Sequence, residues 1–330
     1  MYDVTLAPAQ PSTPLPALLG AYTHLRREEH LLVTGWEPPS GPDVVLGVRW
    51  PAPQGELPYD PRVLTQTVRQ TGLVVAHAVH GVPLTHQTML STLAFTIDPD
   101  LRMPRGRTSA LDVRVTVADG AGARRTPRAL RMSFRVLADG ATLARAESEF
   151  TWIPERVYAR LRGARRHVDW GSWPVPAPVH AGLVGRMRPA DVALAAGDRP
   201  HRWLLRNDPS NHLLFDHPVD HVPGLVLLEA ADQAARAVRS PGSFAPTAVE
   251  AAYWRYVEFD RPCWIEAAPL PEPGALRITG TQDGEPAFRV DFREPRRRSS
   301  REAAGPRAGT PAGATAPDVP PGTRSTARTG

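Results

Sequence analysis

The first half of the chain shows one helical pattern of apolar residues and several alternating ones. From about Arg62 to His80 the apolar residues recur every three to four positions, with Asp60 and Pro61 suited to the start of a helix and Gly81 to its end. Strands are predicted on both sides of this helix, at 31–36, 44–50, 90–97, 110–117, 130–137 and 142–152. Asp139-Gly140 predicts a hairpin between the last two.

The second half repeats this order. It predicts a strand at 201–206, a helix at 222–239 and strands at 253–259, 263–267, 275–280 and 287–292, with a hairpin at Asp283-Gly284. The helical segment 66–70 aligns with 229–233 at a separation of 163 residues. A duplicated unit explains this recurrence. The predicted fold class is α+β, with each unit a long helix wrapped by an antiparallel sheet and the two sheets paired into one longer surface.

The expected organisation has five parts. It comprises a loose, proline-rich lead-in at 1–20, a first repeat at 21–155, a linker at 156–180, a second repeat at 181–293 and a basic tail at 294–330. The tail consists mainly of Arg, Ser, Ala, Gly and Pro, a composition typical of disorder.

Charge and composition exclude several classes of protein. The formal net charge is +5, but eight arginines face only three acidic residues from Arg293 onward, so the tail alone accounts for the excess. A nucleic-acid-binding face is therefore not expected. One cysteine excludes an intramolecular disulfide. The absence of a long apolar stretch or a signal sequence predicts a cytoplasmic protein without a membrane partner.

The strongest candidate for chemistry is the stretch 216–224, Asp-His-Pro-Val-Asp-His-Val-Pro-Gly, which leads into the second predicted helix. Glu229 lies inside that apolar helix, where a carboxylate is costly to bury unless it is paired or used. Histidines beside such a carboxylate are typical of acid–base catalysis. The alternative is structural: Asp220 caps the helix and Glu229 is bonded to backbone donors.

These residues carry a resemblance to known families. A long helix with an antiparallel sheet, repeated in tandem, resembles a double hotdog fold. The run from Pro223 to Gln233 is similar to a motif of β-hydroxyacyl-carrier-protein dehydratases. A closer resemblance, over about 24–292, is to the A-factor (γ-butyrolactone) biosynthesis hotdog family, and its motifs stand at 215–224, 81–87 and 256–263.

The resemblance implies an acyltransferase. Such an enzyme moves a β-ketoacyl group from acyl carrier protein to the hydroxyl of dihydroxyacetone phosphate and needs no cofactor. The chain departs from the family pattern at two positions: Gln66 replaces a glutamate, and Asp232 replaces an arginine. Two alternatives therefore stay open, a dehydratase acting on a β-hydroxyacyl thioester and a homologue that only binds an acyl chain or a butyrolactone. A homodimer is also left open.

Roles follow for the individual residues. His217 and Glu229 are the expected catalytic residues, either one acting as the base while the other orients it. The backbone N–H at Gly224 is expected to polarise the thioester carbonyl. Further substrate-binding residues are expected on both helices and in the motifs: Asp220, His221, Gln233, Arg69, Gln66 and His86.

The sequence also supports expectations about metal binding, the single cysteine and a basic segment. No metal site is expected, because two histidines on one short loop lack further ligands. Cys263 is expected in the core. The basic segment at Arg160, Arg162, Arg165 and Arg166 either contacts an acidic carrier protein or is a solvated linker.

Overall fold

The computed structural model describes residues 14–39, 41–118 and 127–295. These residues form four α-helices: α1 (Leu15–Thr23), α2 (Pro61–Val74), α3 (Glu155–Arg162) and α4 (Gly224–Arg239). Helix α2 continues into a π-helical turn at Val75–Val79. Short 3₁₀ turns connect other elements.

The described residues also form twelve strands. They are β1 (Val33–Trp36), β2 (Asp43–Trp50), β3 (Gln87–Ile97), β4 (Ser109–Val117), β5 (Ala129–Ala138), β6 (Ala141–Ile153), β7 (Leu194–Ala196), β8 (Arg202–Leu205), β9 (Ala248–Tyr253), β10 (Cys263–Pro269), β11 (Ala275–Gln282) and β12 (Glu285–Arg293).

All twelve strands belong to one antiparallel sheet. Its order is β1-β2-β4-β5-β6-β3-β9-β12-β11-β10-β8-β7, so the second six strands repeat the order of the first six in reverse. The halves join where Thr92–Thr96 of β3 pairs with Ala248–Ala252 of β9. The predicted pairing of the two sheets into one surface is confirmed.

The two long helices lie in the core at the centre of this sheet. Asp60 caps α2 by accepting a hydrogen bond from the backbone N–H of Arg62, as predicted. Gly72 lets α2 approach β6 closely, since an added Cβ there would lie 2.8 Å from the ring of Phe150. Most residues of both helices are buried, and α2 and α4 contact each other.

A matched pair of glutamines shows the duplication at atomic detail. Gln70 of α2 accepts from the backbone N–H of Leu32 and donates to the carbonyl of His30. Gln233 of α4 accepts from the N–H of Ala193 and donates to the carbonyl of Asp191. Each helix thereby holds the extended segment that precedes its own half of the sheet.

Both hairpin predictions are confirmed. Asp139-Gly140 connects β5 to β6 and Asp283-Gly284 connects β11 to β12, with positive φ at all four residues (47°, 81°, 55° and 80°). This backbone conformation suits Asp-Gly turns.

Three predictions about local structure are corrected. The strand expected at 253–259 is wrong, because β9 ends at Tyr253 and the following residues form an irregular segment. Val257 and Phe259 are nevertheless buried, and Phe259 stacks on Trp173 with ring centroids 4.2 Å apart. The apolar pattern therefore reflected core packing without a strand.

The lead-in and the linker also contain more structure than expected. Residues 15–20 belong to α1, which accepts Pro16 in its first turn because the N–H lost there has no partner within the helix. The basic segment is not uniformly solvated, since α3 buries Arg162. The predicted disordered tail, 294–330, lies outside the described residues except for Glu294 and Pro295. Cys263 is buried, as expected.

In the described part of the chain, no helix has both the length and the apolar character needed to cross a membrane.

Candidate active site

A cavity of about 460 Å³ opens where the two repeats meet. One wall is the face of α2 that carries Gln66 and Arg69, and the opposite wall is the segment 213–224 that leads into α4. The cavity therefore takes its helix from one repeat and its histidine-bearing loop from the other. Its interior is largely apolar, with contributions from Leu73, Leu90, Phe150, Leu214 and Leu227.

Asp216 and His217 form a hydrogen-bonded dyad on the cavity wall. The His217 Nδ1 atom lies 2.9 Å from Asp216 Oδ2, and because a carboxylate only accepts, this nitrogen carries the proton. Asp216 also accepts from the backbone N–H groups of Arg26 (2.7 Å) and Arg27 (3.2 Å). Its Oδ1 lies 3.0 Å from His30 Nδ1.

This environment keeps Asp216 ionised. Burial alone would raise its pKa, but the hydrogen bonds from the backbone of Arg26 and from the His217 and His30 side chains lower the pKa below its ordinary value. An ionised Asp216 fixes the His217 ring and leaves Nε2 as the acceptor. That is the arrangement of a general base.

Asp220 and His221 form a second dyad four residues later. His221 Nδ1 lies 2.7 Å from Asp220 Oδ1, and His221 lines the cavity. Asp220 also accepts from the hydroxyl of Tyr158 at 2.7 Å and from Arg162 at 3.3 Å. Burial would raise the pKa of Asp220, but the bonds from His221 and Tyr158 and the charge of Arg162 lower it to about 2.

Asp220 is not the helix cap. The N-cap of α4 is Pro223, and no side chain caps this helix. The alternative in which Asp220 caps α4 is therefore wrong, and Asp220 instead orients His221.

Arg69 is the less exposed of the two arginines that line the cavity. It donates one hydrogen bond to the carbonyl of Thr23 at 3.1 Å, and it forms no ion pair with any described carboxylate. Burial lowers its pKa to about 10, and the nearby charge of Asp216 opposes that shift. A guanidinium in this position is charged at neutral pH and forms no direct ion pair among the described residues, so it can receive an anionic group.

Four further buried polar atoms in the cavity wall lack partners among the described residues. They are Gln66 Oε1, His86 Nδ1, Thr88 Oγ1 and Tyr256 Oη. His24 also lines the cavity, with its Nε2 atom 3.0 Å from His77 Nε2. Burial, followed by the charges of His77, Arg69 and His217, lowers the pKa of His24 to about 4, so it is neutral at pH 7.

The N-terminus of α4 forms part of the cavity wall. Gly224 and Leu225 both line the cavity, and the first N–H groups of a helix have no intrahelical acceptor. They are suited to stabilise a negative oxygen. The position expected for Gly224 from the sequence agrees with this geometry.

Comparison with known proteins identifies the family. The model of the A-factor biosynthesis hotdog domain matches residues 10–154 and 171–283. The chain belongs to the A-factor biosynthesis hotdog family. The resemblance and the hotdog fold inferred from the sequence are thereby confirmed.

Two members of this family with a named activity are similar to the chain. The chain is 34% identical over 274 residues to the 2-oxo-3-(phosphooxy)propyl 3-oxoalkanoate synthase of Streptomyces virginiae, covering 80% of this chain and 93% of the relative. It is also 34% identical over 289 residues to the synthase of the same name from Streptomyces coelicolor, covering 84% and 91%. The family member described here is thus similar to synthases over most of its length.

Solved structures similar to this member of the A-factor family are more distant. The 12:0-ACP thioesterase from Umbellularia californica has a TM-score of 0.49 and 12% identity, covering 78% of this chain and 98% of that one. An acyl-ACP thioesterase from Bacteroides thetaiotaomicron has a TM-score of 0.44 and 13% identity, covering 75% and 96%.

The structure does not bring Glu229 into the cavity. Glu229 Oε1 and Oε2 each accept a 2.7 Å hydrogen bond from Arg186, and Oε1 also accepts from Gln233 at 2.6 Å. Arg186 further contacts Asp232 at 2.9 Å. Burial would lower the pKa of Arg186, but the charge of Glu229 and the bonds to it raise the pKa above its ordinary value.

Glu229 and His217 therefore lie in different environments, and one does not orient the other. Glu229 borders a separate, mostly apolar space of about 30 Å³. Gln233 is fully buried and its amide is committed to backbone and to Glu229, so its position does not support the expected contact with substrate.

Sequence reasoning missed three contributors to the site. Asp216 orients His217, while Tyr158 and Arg162 hold Asp220. The Asp-His pair repeated four residues apart was a usable signal for Asp216. Tyr158 and Arg162 gave no such signal, because only the fold brings α3 to the loop at 220.

Proposed function

We propose that the chain transfers a β-ketoacyl group from a carrier-bound thioester to the hydroxyl of dihydroxyacetone phosphate. The observation that carries this proposal is Arg69, a guanidinium without a direct ion pair that lines the same cavity as the Asp216–His217 dyad. The relatives' name describes a 3-oxoalkanoate ester of a phosphorylated hydroxyketone, which has one anionic group and one esterified hydroxyl. The cavity offers a partner for each.

Arg69 is the proposed receiver of the acceptor phosphate. The position equivalent to Arg69 in the second repeat is Asp232, where the family pattern has an arginine. Since Asp232 is paired with Arg186 and Arg236, that position offers no cation to the cavity. In this chain the free positive charge lies on α2, and the phosphate is expected there.

His217 is the proposed general base. Its Nε2 atom takes the proton of the acceptor hydroxyl as the hydroxyl oxygen attacks the thioester carbonyl carbon. The N–H groups at Gly224 and Leu225 stabilise the negative oxygen of the tetrahedral intermediate. The C–S bond then breaks, and the proton on His217 passes to the thiolate, which leaves an ester and a free thiol.

The apolar interior is the proposed binding region for the acyl chain. Leu73, Leu90 and Phe150 line it, and burying an alkyl chain there contributes about 0.8 kcal/mol per CH₂ group. Gln66 and His86 supply unpartnered polar atoms in the same cavity wall, which suit polar groups of the acyl chain such as the β-keto oxygen.

A dehydratase is the weaker alternative. That reaction was favoured by a histidine and a glutamate acting together, and the structure separates His217 from Glu229. Gln66, which lines the cavity, has no acid–base chemistry. Acyl transfer uses one base and one oxyanion site, both of which the cavity contains.

The test is a product assay with two variants. Purified protein is incubated with a β-ketoacyl carrier protein and dihydroxyacetone phosphate, and the phosphorylated ester is measured by mass spectrometry. His217→Gln is expected to lower kcat by about 10²- to 10⁴-fold because the general base is lost. His212→Gln is the matched control, since His212 lies in the same segment but is exposed.

Arg69→Met tests the acceptor site separately. It is expected to raise the KM for dihydroxyacetone phosphate by at least tenfold while the thioester still binds. Inorganic phosphate should raise the Tm of the wild type and leave that of Arg69→Met unchanged, because only a ligand of the folded state stabilises it. Ester formed at the wild-type rate by both His217→Gln and Arg69→Met would refute the roles proposed for these two residues.

A further inference from the structure

Helix α3 presents an exposed face that no described residue covers. Val157 and Leu161 lie one turn apart and are 53% and 59% exposed. Arg156 and Arg160 stand beside them, also one turn apart and exposed. Large apolar side chains are seldom this exposed in pairs unless they contact a partner.

The inner face of α3 is firmly bound to the protein. Arg162 donates to both oxygens of Glu258 at 2.6 and 2.8 Å and to the carbonyl of Asp220 at 2.7 Å. Tyr158 donates to Asp220. The exposed residues therefore stand on a fixed helix.

The outer face of α3 is positively charged. Between 155 and 166 there are five arginines and one glutamate, and only Arg162 is buried with acidic partners. Arg166 lies 3.5 Å from Glu155, and Arg165 lies 3.6 Å from Glu258. Arg156 and Arg160 form no ion pair with the described residues and remain available to an acidic partner.

Helix α3 packs close to the mouth of the cavity. The exposed residues of the cavity wall, which mark its opening, are Leu84, Gln87, Trp254 and Arg255. The next residue, Tyr256, lines the cavity and also packs on α3. Its ring centroid is 6.2 Å from that of Tyr158 and 4.5 Å from the guanidinium carbon of Arg162.

We propose that the outer face of α3, formed by Arg156, Val157, Arg160 and Leu161, is the docking site for the acidic carrier protein that delivers the acyl thioester. This inference rests on the proposed function, because it names where the donor of that reaction binds. The partner that fits is a helix with acidic residues around an apolar centre. Electrostatic attraction would guide its approach, and the apolar pair would fix its position.

A polyanion is the less suitable occupant. Nucleic acid would use the arginines but would gain nothing from an exposed Val157 and Leu161, whereas a protein helix contacts both kinds of side chain. The position next to the cavity mouth also matters for a thioester carried on a flexible arm, because docking there brings the thioester to His217.

The first test measures binding without turnover. Affinity of the intact protein for a β-ketoacyl carrier protein is measured by biolayer interferometry at 50 and 200 mM salt. Arg156→Glu combined with Arg160→Glu is expected to weaken binding at least tenfold, and Val157→Ser with Leu161→Ser should do so with little change in salt dependence. Arg107→Glu with Arg114→Glu makes the same charge change at exposed arginines elsewhere and should bind like the wild type.

The second test compares two donors of the same acyl group. The double glutamate variant should lose at least tenfold in kcat/KM with the carrier-bound donor and retain the wild-type value with an N-acetylcysteamine thioester. If the glutamate pair unfolds, Arg156→Ala with Arg160→Ala gives the same comparison with a smaller change. Ester formed from neither donor by the wild type would refute the proposed function, while the binding test would still decide the docking site.

Several outcomes would overturn the docking site. These are unchanged carrier affinity in both double variants, an equal loss in the control pair, or equal affinity of the wild type for the carrier and for a short single-stranded oligonucleotide.

Discussion

Two arginines on opposite sides of the duplication, buried Arg186 and half-buried Arg69, have different partners. Arg186 is surrounded by carboxylates, with Glu229 and Asp232 both within 2.9 Å. Arg69 sits in the cavity wall with only a carbonyl as a partner. A fully paired buried charge is a structural feature, and an unpaired one costs stability that only a ligand recovers. The contrast separates the structural cluster on α4 from the candidate site on α2.

Substitutions in the Arg186 cluster are expected to affect stability and not chemistry. Glu229→Gln breaks the buried pair and should lower the free energy of unfolding by about 3–5 kcal/mol. Turnover per folded molecule should stay at the wild-type value, because Glu229 borders a different space from His217. Urea unfolding together with the ester assay checks both statements, and a stable Glu229→Gln protein without activity would show that Glu229 is catalytic.

His24 is expected to make the protein sensitive to mild acid. Burial and the charges of His77, Arg69 and His217 lower its pKa from 6.5 to about 4, so the unfolded chain binds more protons than the folded one between these values. Stability should therefore fall as the pH falls from 6.5 toward 4, by roughly 1–2 kcal/mol between pH 7 and pH 5.

Urea unfolding at the two pH values measures this loss. His24→Gln should reduce it, whereas His212→Gln, which changes an exposed histidine, should not. Equal losses in the wild type and in His24→Gln would contradict the assignment. His77, whose pKa is also lowered chiefly by burial, contributes in the same direction and remains in both proteins.

At the residue scale, the sequence predicted residues that line the cavity, but it did not predict the hydrogen bonds and ion pairs that these and neighbouring residues form. His217, His221, Gly224, Arg69, Gln66 and His86 all line one cavity, as their motifs suggested. Glu229 was misplaced because a glutamate in an apolar helix looks the same whether it is catalytic or ion-paired. The decisive partner, Arg186, lies 43 residues away and follows no motif.

At the element scale, the two long helices carry the duplication. Gln70 and Gln233 each join a buried N–H to a buried carbonyl in the segment that precedes their half of the sheet. No other side chain in the two helices has so similar a pair of contacts. Helix α2 therefore also positions His30, the residue whose ring lies 3.0 Å from Asp216.

Replacing either glutamine by leucine should destabilise the protein by similar amounts. Each change leaves one N–H and one carbonyl buried without a partner, at about 1–3 kcal/mol for each group. Gln54→Leu, at an exposed position, is the control and should be nearly neutral. The measurement is the free energy of unfolding, and a neutral Gln70→Leu or Gln233→Leu would contradict the proposed equivalence.

Elements that depend on residues adjacent in the sequence were predictable, and elements that depend on contacts between distant residues were not. Both Asp-Gly hairpins and the start of α2 depend on residues next to each other, and all three are confirmed. The segment 254–259 and helix α3 are shaped by distant partners, such as Trp173 against Phe259 and Arg162 against Glu258. Apolar residues at 257 and 259 look like a strand from sequence alone because burial, not strand pairing, selects them.

At the scale of the whole molecule, one sheet and one interface unite the repeats. Strands β3 and β9 pair over five residues and convert two half-sheets into one of twelve strands. The duplication provides two related spaces, but they are unequal. The one lined by Arg69 has about 460 Å³, and the one bordered by the Arg186 cluster has about 30 Å³. Duplication has thus left one large cavity and one small space.

Separating the repeats should therefore abolish the cavity. A chain cut at Pro154, between β6 and α3, gives a fragment with an unpaired β3 edge and another with an unpaired β9 edge, and exposed edges of this kind aggregate. Each fragment alone is expected to lack cooperative unfolding and to show no stabilisation by phosphate, because Arg69 and the loop that carries His217 lie on different pieces. Co-expressed fragments should associate through β3 and β9 and recover the phosphate-induced rise in Tm. A first-repeat fragment that folds alone and is stabilised by phosphate would contradict this prediction. It would show that Arg69 binds phosphate without any residue of the second repeat.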